Sequence, residues 1–373
     1  MNRDANKCFT VAQVVGTFGG GGAQRLAYSL ASALAGRGAR SLAIAVREIG
    51  SYHMVNQNGV VVRELGCRAG SPLSLLRGAR RLRSIVGREN IDVLHVHGTG
   101  TLPFVDFAMR GFKGRPAVFF TWHDSESVLE GPLAKTRRLT AALRRCDQVY
   151  GSSASVSSRL RERAGLAGVS TFRNGVAPIA TSGQVGSSTP LIVWSGRLVP
   201  TKDPQALIRA AAALRRDRLA FRVAIAGTAP NHLHWFAEQT RALIHDEGLD
   251  EVVEIRGWVD DVPALLRESA IGVQTSHTEG LSMTLLEQMM AGLAVVATDV
   301  GDTAVAIEHG KTGLLVPPGD DDALCDALRR LITDVELRCR LGAAAREKAL
   351  AEFSLEAMAE QGLRFYREPV GCT

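Results

Sequence analysis

The chain has 373 residues, 46% of them hydrophobic, 22% charged and 5% aromatic, with a formal net charge of +6. That length suits two to three domains of ordinary size with substantial cores. No uncharged apolar run reaches the roughly 18 residues of a transmembrane helix, and the opening M-N-R-D-A-N-K-C lacks the apolar stretch of a signal peptide. The six cysteines, Cys8, Cys67, Cys146, Cys325, Cys339 and Cys372, form no C-x-x-C pair. Together these features predict a cytoplasmic protein with reduced thiols.

Strand-like apolar runs alternate with helical patterns along the chain, which predicts a parallel α/β architecture. The first strand, Thr10 to Val15, leads into G-T-F-G-G-G-G-A-Q-R and a helical pattern through Leu26, Leu30 and Leu34. Gly19 to Gly22 would bring backbone amides to a phosphate without side-chain obstruction, or form a plain flexible loop. They fail G-x-G-x-x-G in every register, which weakens a dinucleotide reading. An amphipathic helix follows in S-P-L-S-L-L-R-G-A-R-R-L-R-S-I-V-G-R, with Arg77, Arg80, Arg81, Arg83 and Arg88 beside Leu73, Leu76 and Ile85. It reads either as a core-facing helix with a solvated outer face or as a surface for anionic lipid headgroups.

His95 and His97 share one face near a strand end, but no third metal ligand follows at useful spacing. They read as the wall of a strand-end cleft, with His97 nearer the opening. His123 ends the apolar strand in F-F-T-W-H-D, with Asp124 beside it to orient the loop. The polar stretch Ala180 to Thr189 reads as a linker, so the expected domains are residues 1–180 and 190–352.

After the apolar run Pro190 to Trp194, S-G-R-L-V-P-T-K-D places Arg197 and Lys202 on one strand-end loop, with Gly196 turning the strand end and Pro200 stiffening the segment. Two such cations can converge on a diphosphate and neutralise a phosphate leaving group, although surface charges of this kind are common. Further on, E-G-L-S-M-T-L-L-E sets Glu279 in a loop and Glu287 inside the next helix. Gly280 permits close backbone approach, and Ser282 is a natural N-cap, leaving the amides of Met283, Thr284 and Leu285 at the positive end of a helix dipole. Glu287 lies about 7.5 Å beyond Ser282 along the axis, so the carboxylates could reach hydroxyls on either side of a bound diphosphate. The acids Asp320 to Asp322 read as helix capping rather than a metal cluster.

The order G-G-x-Q, H-V-H-G, T-W-H-D, R-N-G-V, G-R-L-x-P-x-K-D, I-A-G-T, R-G-W-x-D-D-V, E-G-L-S-M-T-L-L-E and T-G-L-L-V-P-P-G-D resembles the retaining GT-B glycosyltransferases of family four. The resemblance implies an α/β GT-B fold, two Rossmann-like domains facing across a cleft, with a C-terminal helix at about 353–373 crossing back to the first domain. It implies that Arg197 and Lys202 grip a donor diphosphate, that Glu287 binds the ribose, and that Glu279 holds the donor sugar. Gly21 and Gly22 would present amides to the phosphate or acceptor, and His123 would face the sugar. Gly196, Gly280, Leu281, Ser282, Met283 and Thr284 would line the donor, with the base near Gly257 and Trp258. The implied reaction is front-face transfer from a nucleoside diphosphate sugar with retention, needing neither metal nor other cofactor, the departing phosphate assisting deprotonation of the acceptor. Ala177, Thr228 and Ser282 depart from the family pattern and bear on base and sugar choice.

Residues 1–180 carry 25 Lys and Arg against 11 Asp and Glu, a net of +14, whereas residues 181–373 carry 19 against 27, a net of −8. A basic first half suits an anionic membrane surface or a phosphate-bearing, lipid-linked acceptor, while sparse aromatics argue against nucleic acid. The resulting expectation is a hexosyl or N-acetylhexosaminyl transferase, UDP ahead of GDP, building an envelope glycan at the inner membrane face. A soluble enzyme acting on a small molecule, a UDP-sugar epimerase and a non-catalytic nucleotide-sugar-binding module are the alternatives.

Overall fold

The computed structural model describes residues 9–18, 22–48, 59–123 and 133–367. Two compact units make up the chain, one from Met1–Gly175 with Leu355–Thr373, the other from Val176–Ser354.

In the first unit the strands are β1 (Thr10–Val15), β2 (Arg40–Ala45), β3 (Val61–Glu64), β4 (Val93–His97), β5 (Ala117–Trp122), β6 (Gln148–Gly151) and β7 (Val169–Thr171). They alternate with α1 (Gly22–Ala35), α2 (Pro72–Glu89), α3 (Leu102–Met109), α4 (Leu133–Leu143) and α5 (Ala154–Ala164). All seven strands pair in parallel, in the order β3-β2-β1-β4-β5-β6-β7. Strands covered by helices on both faces need continuous apolar runs, and T-V-A-Q-V-V and A-V-F-F-T-W supply them. Gln13, His95 and His97 are larger polar side chains set among them on β1 and β4, each at most 2% exposed.

The second unit repeats the plan with β8 (Leu191–Ser195), β9 (Arg222–Ala226), β10 (Val253–Gly257), β11 (Ile271–Gln274), β12 (Ala294–Thr298) and β13 (Leu314–Val316). Its helices are α6 (Pro204–Arg216), α7 (His234–Asp246), α8 (Val262–Glu268), α9 (Met283–Met290), α10 (Thr303–Ala306), α11 (Asp321–Thr333) and α12 (Val335–Glu352). The parallel order is β10-β9-β8-β11-β12-β13. The last helix, α13 (Leu355–Arg367), packs on α1 and belongs to the first unit.

Strand order reverses between β1 and β4 in one sheet and between β8 and β11 in the other. In open parallel sheets a crevice opens outside the carboxyl ends of the strands at such a reversal, and ligands bind there.

Segment 180–189 is tied to the second unit. Ser182 donates its backbone amide to Ala291 O at 2.9 Å and its hydroxyl to Arg267 O at 3.1 Å. Arg338, fully buried on α12, donates its guanidinium to the carbonyls of Val185, Ser187, Leu331 and Ile332. Burial lowers its pKa from the usual arginine value. At α11, Asp320 caps the helix by accepting from Ala323 N at 2.9 Å, and Asp321 pairs with Arg209.

Candidate active site

At the reversal in the second sheet, Trp194 near the end of β8 donates its indole N–H to Thr275 Oγ1 across the β8–β11 boundary at 3.0 Å. Thr275 donates in turn to the carbonyls of Lys202 and Asp203 at 2.9 and 2.6 Å, pinning the loop after β8 to the loop after β11. A backbone bond from His277 N to Thr201 O at 2.9 Å adds to this. Pro200–Lys202 forms one tight helical turn, closed by Asp203 in the left-handed region, whose carboxylate then caps α6 through Ala206 N at 3.1 Å.

This pinning delivers the Lys202 ammonium to the carboxylate of Glu279, 77 positions away in sequence. Glu279 Oε1 also accepts from Ser276 Oγ at 2.7 Å, and the Glu279 side chain is 10% exposed. Asp203 receives His277 on its other oxygen, 3.3 Å away. Arg197 is exposed and makes no ion pair or side-chain hydrogen bond with any described residue. The site therefore holds one cation already engaged by a carboxylate and a second that faces solvent.

Two glycines shape it. At Gly227, φ is +145° and a Cβ would lie 1.7 Å from Gly196 O, so only glycine lets the ends of β8 and β9 approach. At Gly301, φ is +56° and a Cβ would lie 2.1 Å from Glu279 O, while the neighbouring Asp302 N donates to Gly280 O at 2.8 Å. Gly257 ends β10 with its carbonyl accepting from Gly227 N at 2.7 Å. Thus Gly196, Gly227 and Gly257 line adjacent carboxyl ends of β8, β9 and β10.

Leu281 and Ser282 are buried, while Gly280, Met283 and Thr284 are half-buried at the start of α9. Ser282 caps the helix through Leu285 N at 3.4 Å and meets the Thr284 hydroxyl at 3.0 Å. The cap consumes the Leu285 amide, which corrects the expectation of three open N–H groups: those of Met283 and Thr284 remain. Glu287 is half-buried on α9. Gly22 starts α1 and a Cβ there would meet nothing within 4 Å, so packing does not demand glycine at that position. Gly21 and Asp124 lie outside the described residues.

The reversal in the first sheet holds a buried polar chain. His97 Nδ1 lies 2.8 Å from His123 Nε2, and His97 Nε2 lies 2.7 Å from Gln13 Oε1. Gln13 Nε2 donates to the Tyr366 hydroxyl at 3.5 Å, which lies 2.6 Å from His95 Nδ1, and His95 Nε2 lies 2.7 Å from Thr121 Oγ1. Burial lowers His95 to about 3 and His123 to about 4, and it holds His97 well below its ordinary value with further contributions from His95 and His123. Burial likewise raises Tyr366, keeping the phenol protonated. His95 and His97 are thus not a metal pair but links in one hydrogen-bonded chain, and no group of three or more His, Cys, Asp or Glu side chains placed to hold a metal occurs among the described residues.

Sequence reasoning missed Gln13, Tyr366, Ser276, Thr275, His277 and Gly301. Gln13 alone carried a signal, as a polar residue inside an otherwise apolar strand.

Residues 20–178 match the sequence profile described as Glycosyltransferase Family 4, and residues 189–334 match that of Glycosyl transferases group 1. The alpha-D-kanosaminyltransferase of Streptomyces kanamyceticus is 28% identical over 328 residues, 80% of this chain and 82% of that protein. This chain is a GT-B glycosyltransferase. A GDP-mannose-dependent alpha-(1-6)-phosphatidylinositol monomannoside mannosyltransferase of Mycobacterium tuberculosis is 30% identical to the glycosyltransferase over 187 residues, 48% of this chain and 47% of that protein. The chain thus spans about half the length of that relative. Among solved structures, HepE of Anabaena in complex with UDP superposes with a TM-score of 0.81 at 19% identity, covering 96% of this chain and 99% of that one.

Proposed function

We propose that the glycosyltransferase moves a hexose or N-acetylhexosamine, with retention, from a nucleoside diphosphate sugar, UDP ahead of GDP, to a glycan or lipid-linked acceptor of the cell envelope. The observation that carries this reading is the Lys202–Glu279 pair beside the exposed Arg197 at the β8–β11 reversal. Lys202 and Arg197 have the charge to grip a diphosphate and to neutralise it as it departs. Glu279 has the acceptor oxygens for sugar hydroxyls and Glu287 for a ribose, with Gly196, Gly257, Gly280 and the α9 amides lining the donor. His123, just after β5, is read as a substrate contact. In this reading no metal is used, and the departing phosphate takes the acceptor proton.

The membrane side of the proposal rests on α2. Its inner face buries Ala79, Leu82, Ile85 and Val86, whereas Leu73, Leu75 and Leu76 stay exposed beside Arg77 and Arg80. Exposed leucines next to arginines suit an anionic lipid surface at the inner face of the cell membrane. No helix among the described residues is long and apolar enough to cross a membrane. A soluble, small polar acceptor is the second reading, favoured by the kanosaminyltransferase match, which extends over 80% of this chain.

The test is turnover of UDP-, GDP-, ADP- and dTDP-sugars, with the anomeric configuration of the product read by NMR. Loss of turnover in Lys202→Ala together with an axial-to-axial outcome supports the proposal; an inverted product, or conversion of the donor to an epimer, refutes it. Salt-sensitive binding to vesicles containing anionic lipid, abolished by Leu73→Glu with Leu76→Glu, supports the membrane acceptor. Absence of binding at low salt leaves the small-acceptor reading.

A further inference from the structure

The buried chain in the first unit has a direction. Gln13 Nε2 donates to Tyr366, so Gln13 Oε1 faces His97 Nε2 and must accept from it. His97 Nδ1 then carries a lone pair and accepts from His123 Nε2 at 2.8 Å. A neutral His123 then has no proton on Nδ1. Tyr366 comes from α13, while Gln13, His97 and His123 come from β1, from β4 and from the residue after β5. Four separate elements therefore set one tautomer.

We propose that Gln13, His97 and Tyr366 are positioning residues that hold His123 neutral, with its proton on Nε2 and Nδ1 presented as an acceptor to a substrate hydroxyl. This rests on the reading of His123 as a substrate contact. The chemistry gives the arrangement a purpose. Glycosyl transfer develops oxocarbenium-like positive charge at the sugar, and an imidazolium beside it would oppose that charge, whereas a neutral acceptor does not. Among the described residues, Tyr150 and Tyr366 are the titratable side chains in ring or hydrogen-bond contact with the three imidazoles besides one another, and no described carboxylate, lysine or arginine forms an ion pair with any of the three. Burial accordingly keeps His123 neutral.

Three substitutions, two of them nearly isosteric with each other, separate this role from packing. His97→Asn keeps a neutral acceptor for His123 Nε2–H, His97→Asp makes that acceptor anionic, and His97→Leu removes it. NMR of the full-length, ligand-free protein with ¹⁵N-labelled histidine reads the tautomer and charge of His123 directly. The expected result is an Nε2 proton in wild type and His97→Asn, both untitrated at about pH 6, and an ionisation of His123 moved up toward neutrality in His97→Asp. In His97→Leu the proton is expected to divide between both nitrogens. In turnover, His97→Asn should stay within about threefold of wild type, and His97→Leu should lose about tenfold at every pH. His97→Asp should lose about tenfold near pH 6 and recover on the alkaline side. An Nδ1 proton in wild type, or equal and pH-independent losses in all three variants, overturns the proposal. If no nucleotide sugar is turned over, the substrate reading fails while the NMR measurements still decide the tautomer. Should His97→Asp not fold, Gln13→Leu, which removes the carbonyl facing His97 Nε2, is expected to divide the His123 proton in the same way.

Discussion

Glu279→Gln should make the enzyme bind a free nucleoside diphosphate more tightly while slowing transfer. Lys202 is engaged by Glu279, with side chains 24% and 10% exposed. In the proposed reading a diphosphate draws the ammonium away from a carboxylate that Ser276 holds in place at 2.7 Å. Hydrogen bonds to charged groups contribute about 1.5–3 kcal/mol. The glutamine preserves the shape and the Ser276 contact but removes the charge, so most of that competition disappears, as does the repulsion between Glu279 and the phosphate. At about 1.4 kcal/mol per tenfold, even the lower bound predicts roughly tenfold tighter binding of UDP or GDP. The sugar loses an anionic acceptor of the same strength, so turnover should fall by about ten- to a hundredfold. Titration calorimetry with the nucleoside diphosphate alone and steady-state rates with the nucleotide sugar check the two halves, Lys202→Ala serving as the variant that loses diphosphate binding. Unchanged or weaker diphosphate affinity in Glu279→Gln would refute the view of the pair as a competitor for the phosphate.

Gly227→Ala should abolish nucleotide binding and destabilise the protein by about 3 kcal/mol, because its Cβ would lie 1.7 Å from Gly196 O at a φ of +145°; a melting temperature within about 2 °C of wild type would contradict this. Arg338→Met leaves the carbonyls of Val185, Ser187, Leu331 and Ile332 without their donor, a loss of about 3–5 kcal/mol visible in urea denaturation and in faster proteolysis within 180–189. The pH dependence of stability follows from the buried imidazoles of His95 and His97 and the half-buried one of His123, whose folded-state values lie below the unfolded 6.5. The unfolded chain binds more protons below 6.5, so their contribution is complete above that pH and is lost as pH falls toward about 4, by about 1.4 kcal/mol per histidine per unit. The melting temperature should be flat on the alkaline side and fall steeply through the acid window, with a shallower fall in His95→Asn.

The parallel sheets were legible because strands buried on both faces must be apolar throughout, and T-V-A-Q-V-V or A-V-V-A-T can hardly be anything else. Lys202 and Glu279 could be singled out by residue type and motif order. Their direct pairing could not, since it depends on β8 and β11 lying side by side and on Thr275 pinning the two loops together. His95 and His97 were read as a cleft wall from their shared face. His95 is bonded within the core to a tyrosine 271 positions beyond it, and no local pattern announces such a partner. Arg338 was equally silent: an arginine in a helical run looks solvent-facing, and the carbonyls it satisfies lie in a segment whose composition suggested a loose connection.

Because Tyr366 closes the polar chain of the first unit, the order of synthesis and the order of completion differ. Val176–Ser354 is translated before α13, whereas Gln13 and His95, translated ahead of the whole second unit, wait for a tyrosine translated after it. A chain ending at Ser354 and released from the ribosome would hold a complete second unit and a first unit with two buried polar side chains still lacking their hydroxyl partner. Such a chain should be recognisable by protease sensitivity confined to its amino-terminal part.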